Sequence, residues 1–108
     1  MTRYSIREAA FEIDSLPSQP QVAICHGFFV ASAARGKGYA HQAKRAQEEI
    51  LRGLAYDYAL CTVMASNHAQ KRVLEKAGWR YLDEFHSDRQ DALVEIWGHE
   101  INHGGNAK

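Results

Sequence analysis

The chain has 108 residues, of which 45% are hydrophobic and 24% are charged, the composition of an ordinary globular domain. Basic and acidic residues balance at 13 each, so the chain has no net positive charge to attract nucleic acid or an anionic membrane. Neither partner is indicated. No apolar run approaches the ~20 residues of a membrane span, and the first residues lack a signal-peptide core. We expect one compact domain over residues 1–103, a flexible tail over residues 104–108, and a cytoplasmic location.

The first twenty residues allow two interpretations. Ser5 to Glu8 fits a helix capping box, and apolar residues after it would share one helical face. Phe11 to Leu16, followed by a turn with two prolines, equally fits a strand. We favour the strand, turning directly into a second strand over residues 22–30.

Strands and helices alternate along the rest of the chain. Apolar or alternating segments predict strands over residues 22–30, 58–65, 79–85 and 93–101. A helix is predicted over residues 39–53, and a second one, capped by Ser66-Asn67, ends at Gly78. The predicted order is therefore β-β-α-β-α-β-β, an α/β (α+β) domain. Three- and four-residue steps predict the buried face of the first helix: Ala40, Ala43, Ala46, Ile50 and Leu54.

The loop between the second predicted strand and the first helix is the segment that indicates chemistry. It contains Gly36 and Gly38, flanked by basic residues, and leads directly into the helix. Glycines let the backbone approach a ligand closely, and amides at a helix start favour anions, so the loop predicts a phosphate cradle. The dinucleotide fingerprint needs a glycine where His41 stands, and the P-loop needs Ser or Thr where Gly38 stands. Neither motif fits.

The loop resembles the acetyl-CoA-binding signature of the GNAT superfamily of N-acetyltransferases. The family pattern, Gln/Arg-x-x-Gly-x-Gly/Ala, is met by Arg35, Gly38 and Ala40. Asn67, followed by Leu-Glu-Lys-Ala-Gly at 74–78, is similar to the family's second CoA-contacting block. The residue sequence of this block is most similar to that of the ribosomal-protein acetyltransferase branch.

The resemblance, which covers residues 22–101, implies a mixed, mostly antiparallel sheet with splayed central strands and two flanking helices. Acetyl-CoA is then expected in the cleft between those strands, with its pantetheine arm along the first of them and its pyrophosphate on the loop amides. The implied cofactor-binding residues are Phe28, Val30, Arg35, Gly36, Lys37, Gly38, Tyr39, Ala40 and Asn67.

The resemblance also implies direct transfer of an acetyl group to a primary amine, of a protein or of a small molecule, in a ternary complex. His26 shares a strand face with Phe28 and is the candidate general base, and Tyr81 is a second catalytic candidate. Leu74 stands where many family members have a general-acid tyrosine. A module that binds CoA or a protein partner without turnover therefore remains the alternative.

The family fold usually begins with a strand and two helices, for which the segment before the loop is too short. An uncovered sheet edge and apolar face favour pairing with a second copy. We therefore expect a homodimer formed through residues 79–85 and 93–101, with Trp79, Phe85 and Trp97 as aromatic anchors.

No metal cofactor is expected. Cys25 and Cys61 lie inside apolar stretches, without the close pairing of a zinc site, and are predicted to be buried thiols in a reducing compartment. Residues 99–103 spell His-Glu-x-x-His, the pattern of zinc proteases. That motif requires a helix, whereas here it closes a predicted strand just before two glycines.

Overall fold

The computed structural model describes residues 2–6, 8–31 and 38–101; the predicted tail lies outside them. In this part of the chain, six strands and two helices follow in the order β-β-β-α-β-α-β-β. The strands are β1 (Thr2–Ile6), β2 (Ala9–Leu16), β3 (Gln19–Val30), β4 (Tyr58–Met64), β5 (Arg80–Ser87) and β6 (Ala92–Glu100). The helices are α1 (Tyr39–Gly53) and α2 (His68–Lys76). The α+β fold class is confirmed, and one strand, β1, is added to the predicted order.

The first residues form strands and not the alternative helix. β1 and β2 pair antiparallel, with Thr2 opposite Ile13 and Ile6 opposite Ala9. Phe11 and Ile13 of β2 are buried and the residues between and after them are only partly so, the period-two alternation of a strand with one face on the core. Burial of this face outweighs the local capping box at Ser5, because a capping box contributes only about 1 kcal/mol.

The sheet is mixed and mostly antiparallel, with strand order β1-β2-β3-β4-β6-β5. Its one parallel pair among the described residues is β3 with β4, and these strands pair only where Val22–Ile24 meets Tyr58–Leu60. Beyond those residues β3 continues to Val30 and β4 to Met64 without pairing to each other. The splayed central strands that the resemblance implied are therefore present.

The core lies between one face of the sheet and the two helices. Leu51 of α1 and Leu74 of α2 pack there with residues from four strands, and burial of these apolar groups is the main stabilising contribution. Neither helix in the described part of the chain is long and apolar enough to cross a membrane.

The predicted aromatic anchors of a dimer do not share one environment. Trp79 and Trp97 are buried in the core, so the expectation that they face a second copy was wrong: the sheet and helix α2 already cover them. Phe85 remains 46% exposed on the edge strand β5, near the exposed Leu82 and Leu93.

Candidate functional site

The cleft between β3 and β4 opens beside a bulge in β3. Glu12 lies opposite His26 and the register then shifts, so that Gly27 and Phe28 together face one residue of β2, Phe11. Gly27 has a φ of +65°, a backbone conformation that glycine adopts without strain. The extra residue of a bulge bends and twists its strand, and it does so here just past the point where β3 and β4 stop pairing.

An outer cavity of about 710 Å³ occupies the open end of this cleft. The end of β3 forms one wall, and the first turns of α1 and α2 form the others. Its lining residues include Phe28, Val30, Gly38, Ala40 and Asn67. Five of the nine predicted cofactor-binding residues therefore surround one cavity. Tyr39 begins α1 beside it, whereas Arg35, Gly36 and Lys37 lie outside the described residues.

Helix α1 starts at this cavity in a form that suits an anion. Gly38 is its N-cap, with a φ of +80° and no side-chain cap, and the first turn holds no acidic residue. Backbone amides at an uncapped helix start attract negative charge, and a phosphate is the usual ligand of such a start. His41 and Arg72 also line the cavity, so its walls carry basic side chains as well.

Asn67 caps α2 as the sequence predicted. Its Oδ1 accepts a hydrogen bond of 3.1 Å from the Gln70 backbone N–H, which satisfies one of the amides that a helix start leaves without a partner. The capping bond uses the oxygen and leaves the two N–H donors of the side-chain amide for other contacts. Because Asn67 lines the outer cavity and a second, inner one, those donors lie beside the cleft.

The inner cavity, of about 260 Å³, continues the cleft between the splayed strands. It shares Phe28, Asn67 and Gln70 with the outer cavity, so the two cavities adjoin at these residues. Residues around the β3 bulge and the end of β4 form its sides, and Lys44 and Gln47 of α1 lie at its floor.

His26 lies at the side of the inner cavity and is held by two carboxylates of β2. Its Nε2 is 3.2 Å from Asp14 Oδ2, and its Nδ1 is 3.4 Å from Glu12 Oε1. These carboxylates orient the imidazole ring, and because both nitrogens face one, His26 can accept a proton from a substrate only if one of these contacts gives way.

His26 and Phe28 both line the inner cavity, but they do not share a strand face. The bulge at Gly27 turns Phe28 to the core side, where its ring stacks on that of Phe11, so the expectation of a shared face was wrong.

Tyr81, the second catalytic candidate, is in a different place. It lies on β5 and lines neither cavity. Its hydroxyl donates to Glu84 Oε1 at 2.8 Å, and this hydrogen bond raises the pKa of Tyr81 to about 12. A phenol that ordinarily titrates near 10 is then a still weaker acid.

The buried face of α1 overlaps the predicted one in part, because Ala43 is buried and Ile50 packs against the core as predicted. The structure buries Ala43, Lys44, Gln47 and Leu51, and leaves Leu54 exposed. These buried positions also recur at three- and four-residue steps, but two of them are polar, and hydrophobicity alone therefore pointed to a neighbouring face. Lys44 and Gln47 were missed for this reason.

The two cysteines are free and buried, as predicted. Burial raises the pKa of the Cys25 thiol to about 12, and burial also raises the pKa of Cys61. Both lie on the inner cavity. A protonated thiol is a poor nucleophile, so the two residues serve as small apolar side chains there.

His99, the first histidine of the His-Glu-x-x-His segment, belongs to strand β6. Its Nε2 is 2.8 Å from Glu48 Oε1, and its ring stacks on Trp79 with the centroids 5.3 Å apart. A strand sends neighbouring side chains to opposite faces, and His99 and Glu100 therefore lack the helical arrangement that the zinc motif uses. The second histidine, at 103, lies outside the described residues.

Comparison with known proteins gives a family match and a set of similar folds. The family model for the acetyltransferase (GNAT) domain matches residues 10–80. Three solved structures superpose with a TM-score of 0.74 each: the ribosomal-protein-S18-alanine N-acetyltransferase of Escherichia coli, a Bacillus subtilis acetyltransferase in complex with CoA, and yncA of Salmonella typhimurium with its cofactor acetyl-CoA. Their sequence identities to this chain are 15%, 13% and 12%, which supports a common fold.

The coverage of these comparisons is unequal. The three structures cover 94%, 88% and 93% of this chain, whereas the chain covers 66%, 70% and 60% of theirs. It thus spans roughly two thirds of the length of the structures that it resembles. A search of curated protein sequences found no match.

Proposed function

This chain belongs to the GNAT family of acetyltransferases, and on that premise we propose that it transfers an acetyl group from acetyl-CoA to a primary amine. The observation that carries the proposal is the continuous cleft between β3 and β4, which joins an uncapped helix start to an oriented histidine. Such a cleft has the parts needed to hold a long anionic cofactor at one end and to move a proton at the other.

We place acetyl-CoA along this cleft. Its pyrophosphate would lie on the amides of the loop segment Arg35 to Ala40, of which Gly38 to Ala40 form the start of α1, and its pantetheine arm would follow the backbone of β3 from Val30 to Phe28. An extended chain can pair with a strand where that strand has left its neighbour, and β3 leaves β4 after Ile24. The side-chain amide of Asn67 would contact the arm from the opposite wall.

The reaction is nucleophilic substitution at the thioester. The amine nitrogen attacks the acetyl carbonyl carbon, a C–N bond forms and the C–S bond breaks. The amine gives up a proton, for which His26 is the proposed acceptor, and the CoA thiolate leaves and is protonated. A backbone N–H near the bulge at Gly27 would polarise the carbonyl oxygen, and holding both substrates together supplies much of the acceleration.

A protein amine is the acceptor that we favour over a small one. His26 and Thr62 lie on the sheet face opposite the core, and both described helices pack on the core side. The acceptor side of the cleft is thus open enough for a bulky chain. The resemblance of residues 74–78 to the ribosomal-protein acetyltransferase branch, whose substrates are protein amines, also supports a protein acceptor.

A CoA-binding module without turnover is the alternative, and Leu74 is the observation that favours it. The side chain is fully buried and belongs to the core, so the helix offers a hydrocarbon where a general acid would stand. Incubation of the full chain with acetyl-CoA and a panel of peptide and small amines separates the two functions. Release of free CoA that depends on an amine supports the enzyme, and binding without release supports the module.

Acetyl-CoA is expected to raise the melting temperature, while ATP and NAD leave it unchanged. A ligand that binds only the native state stabilises it by about 2.7 kcal/mol at a hundredfold excess over Kd. A thermal-shift series with the three ligands at equal concentration measures this effect. An equal shift with ATP would indicate a general phosphate site and would count against the proposed cofactor.

A homodimer is expected to form through the edge strand β5. Its outer edge has no partner strand among the described residues, and Phe85, Leu82 and Leu93 are exposed near it. Sedimentation equilibrium at micromolar concentration should show a species of about twice 12.2 kDa. Phe85→Arg should return it to the monomer and Leu54→Arg, at an exposed site on α1, should not; a monomeric wild type would refute this interface.

A further inference from the structure

Two buried polar side chains line the floor of the inner cavity, and one of them, Gln47, lacks hydrogen-bond partners. Lys44 is 3% exposed and Gln47 is 1% exposed, and both line the cavity. Neither the oxygen nor the nitrogen of the Gln47 side-chain amide makes a hydrogen bond. Among residues 2–6, 8–31 and 38–101, no carboxylate lies within ion-pair distance of Lys44 Nζ. Such groups cost free energy unless something pairs with them, and two on one cavity floor point to a ligand.

Burial lowers the pKa of Lys44, and the negative charge of Glu48 acts against this larger effect, but the Glu48 carboxylate does not form an ion pair with Lys44 Nζ. The thiols of Cys25 and Cys61 stay protonated, because burial raises the pKa of each. Glu48, one turn further along α1, is instead 2.8 Å from His99 Nε2 and 3.3 Å from an Arg52 nitrogen. An anion entering the cavity would also act against the effect of burial and would favour the charged form of Lys44.

Two aromatic rings hold the Lys44 head group at the cavity. Nζ is 4.2 Å from the ring centroid of Trp79 and 5.0 Å from that of Phe28. Cation–π contacts of this kind position an ammonium and stabilise it in part, without neutralising its charge. The ammonium is thus fixed in place and still able to bind an anion.

This floor lies where the acyl end of the cofactor would arrive. The outer cavity leads into the inner one past Phe28, Asn67 and Gln70, so a chain that follows β3 inward ends near Lys44 and Gln47. A cavity of about 260 Å³ has the volume of roughly eight waters at ~30 Å³ each. The four carbons of a succinyl group, its terminal carboxylate included, fit that space, whereas an acetyl group would leave the Gln47 amide without a hydrogen-bond partner.

We propose that the inner cavity binds the acyl chain of a dicarboxylic acyl-CoA of malonyl or succinyl length, with its terminal carboxylate on Lys44 Nζ and the Gln47 amide N–H. This inference rests on the CoA cleft and the amine acylation of the proposed function, and it replaces the acetyl group of the donor by a dicarboxylic acyl group. The transfer chemistry is unchanged: the amine nitrogen bonds to the thioester carbon, the C–S bond breaks, the amine proton leaves and the thiolate is protonated. The distal carboxylate takes no part in the bond changes and serves only for recognition.

The test is a calorimetric comparison of matched acyl-CoAs on the full chain without an acceptor. Succinyl-CoA and butyryl-CoA have four-carbon acyl groups that end in a carboxylate and a methyl group, and malonyl-CoA and propionyl-CoA are the three-carbon pair. In at least one pair, the acyl-CoA that ends in a carboxylate should bind about 10- to 100-fold more tightly than the one that ends in a methyl group. One or two charge-assisted hydrogen bonds have an effect of this size. Equal affinities within both pairs would overturn the inference.

Substitutions at the cavity floor test whether Lys44 and Gln47 cause the preference for a terminal carboxylate. Lys44→Met should abolish the preference for the carboxylate, and Gln47→Leu should reduce it, while Lys76→Met, at an exposed position of α2, should keep it. Both inner variants remove a buried polar group and are expected to melt at a higher temperature than the wild type. A preference that persists in Lys44→Met would overturn the assignment of this residue.

The same titrations separate this inference from the proposed function. Free CoA is the additional probe, because it has the pantetheine arm and the pyrophosphate and lacks an acyl group. Binding of CoA with no discrimination within the pairs leaves the proposed cofactor intact and refutes the acyl-donor class. No binding of CoA or of any acyl-CoA refutes the cofactor itself, and the inference with it.

Discussion

Gly38→Val is expected to abolish CoA binding while the protein still folds. Gly38 lines the outer cavity, and an added Cβ would meet nothing within 4 Å, so a larger side chain would project into space that the pyrophosphate is proposed to occupy. Loss of two or more charge-assisted hydrogen bonds corresponds to at least about a 100-fold weaker Kd. The φ of +80° adds strain of roughly 1–3 kcal/mol for a β-branched residue.

Two further substitutions separate blocked binding from backbone strain. Asn tolerates a positive φ, so Gly38→Asn should keep the stability of the wild type and still lose affinity. Gly53→Val, at the other end of α1, also meets no atom within 4 Å and lines neither cavity, and should bind normally. Calorimetry with CoA and circular dichroism give the two readouts. A folded Gly38→Val variant with wild-type affinity would show that the pyrophosphate lies elsewhere.

Leu51→Ala is expected to cause a large loss of stability, whereas Leu54→Ala is expected to cause almost none. Leu51 is 1% exposed and belongs to the core, whereas Leu54, three residues later, is 51% exposed. Removing a buried leucine side chain costs about 2–5 kcal/mol, because apolar burial is lost and a cavity remains. In a domain of this size that corresponds to a fall in melting temperature on the order of 10–20 °C. An exposed leucine costs less than about 0.5 kcal/mol.

The pair also tests which face of α1 is buried. Hydrophobicity predicts that Leu54 is buried with Ile50, whereas the structure packs Ile50 against the core with Gln47 and Leu51 buried beside it and leaves Leu54 exposed. Thermal unfolding followed by circular dichroism measures both variants under one condition. Equal losses, or a larger loss in Leu54→Ala, would mean that the helix is turned the other way and would remove the basis for assigning Lys44 to the cavity floor.

Local features of the sequence were sufficient to predict most of the helices and strands and part of the candidate site. The Asn67 cap, the glycine at the start of α1 and the polar turn before β6 act within a few residues of chain, so their effects can be predicted without knowing the rest. The prediction of α1 over residues 39–53 agrees with the structure for the same reason. The family resemblance added the splayed strands, which no local pattern indicates.

Tertiary packing decided the features that depend on residues far apart in the chain. Thr2–Ile6 became a strand because β2 offers it a partner. Trp79 and Trp97 are buried because helix and sheet meet over them, and Tyr81 is separated from the cleft because β5 is the edge strand. The orientation of α1 is settled by the sheet beneath it, which places Lys44 between the rings of Phe28 and Trp79. A sequence pattern does not show such an environment, because it is built from side chains brought together only when the chain folds.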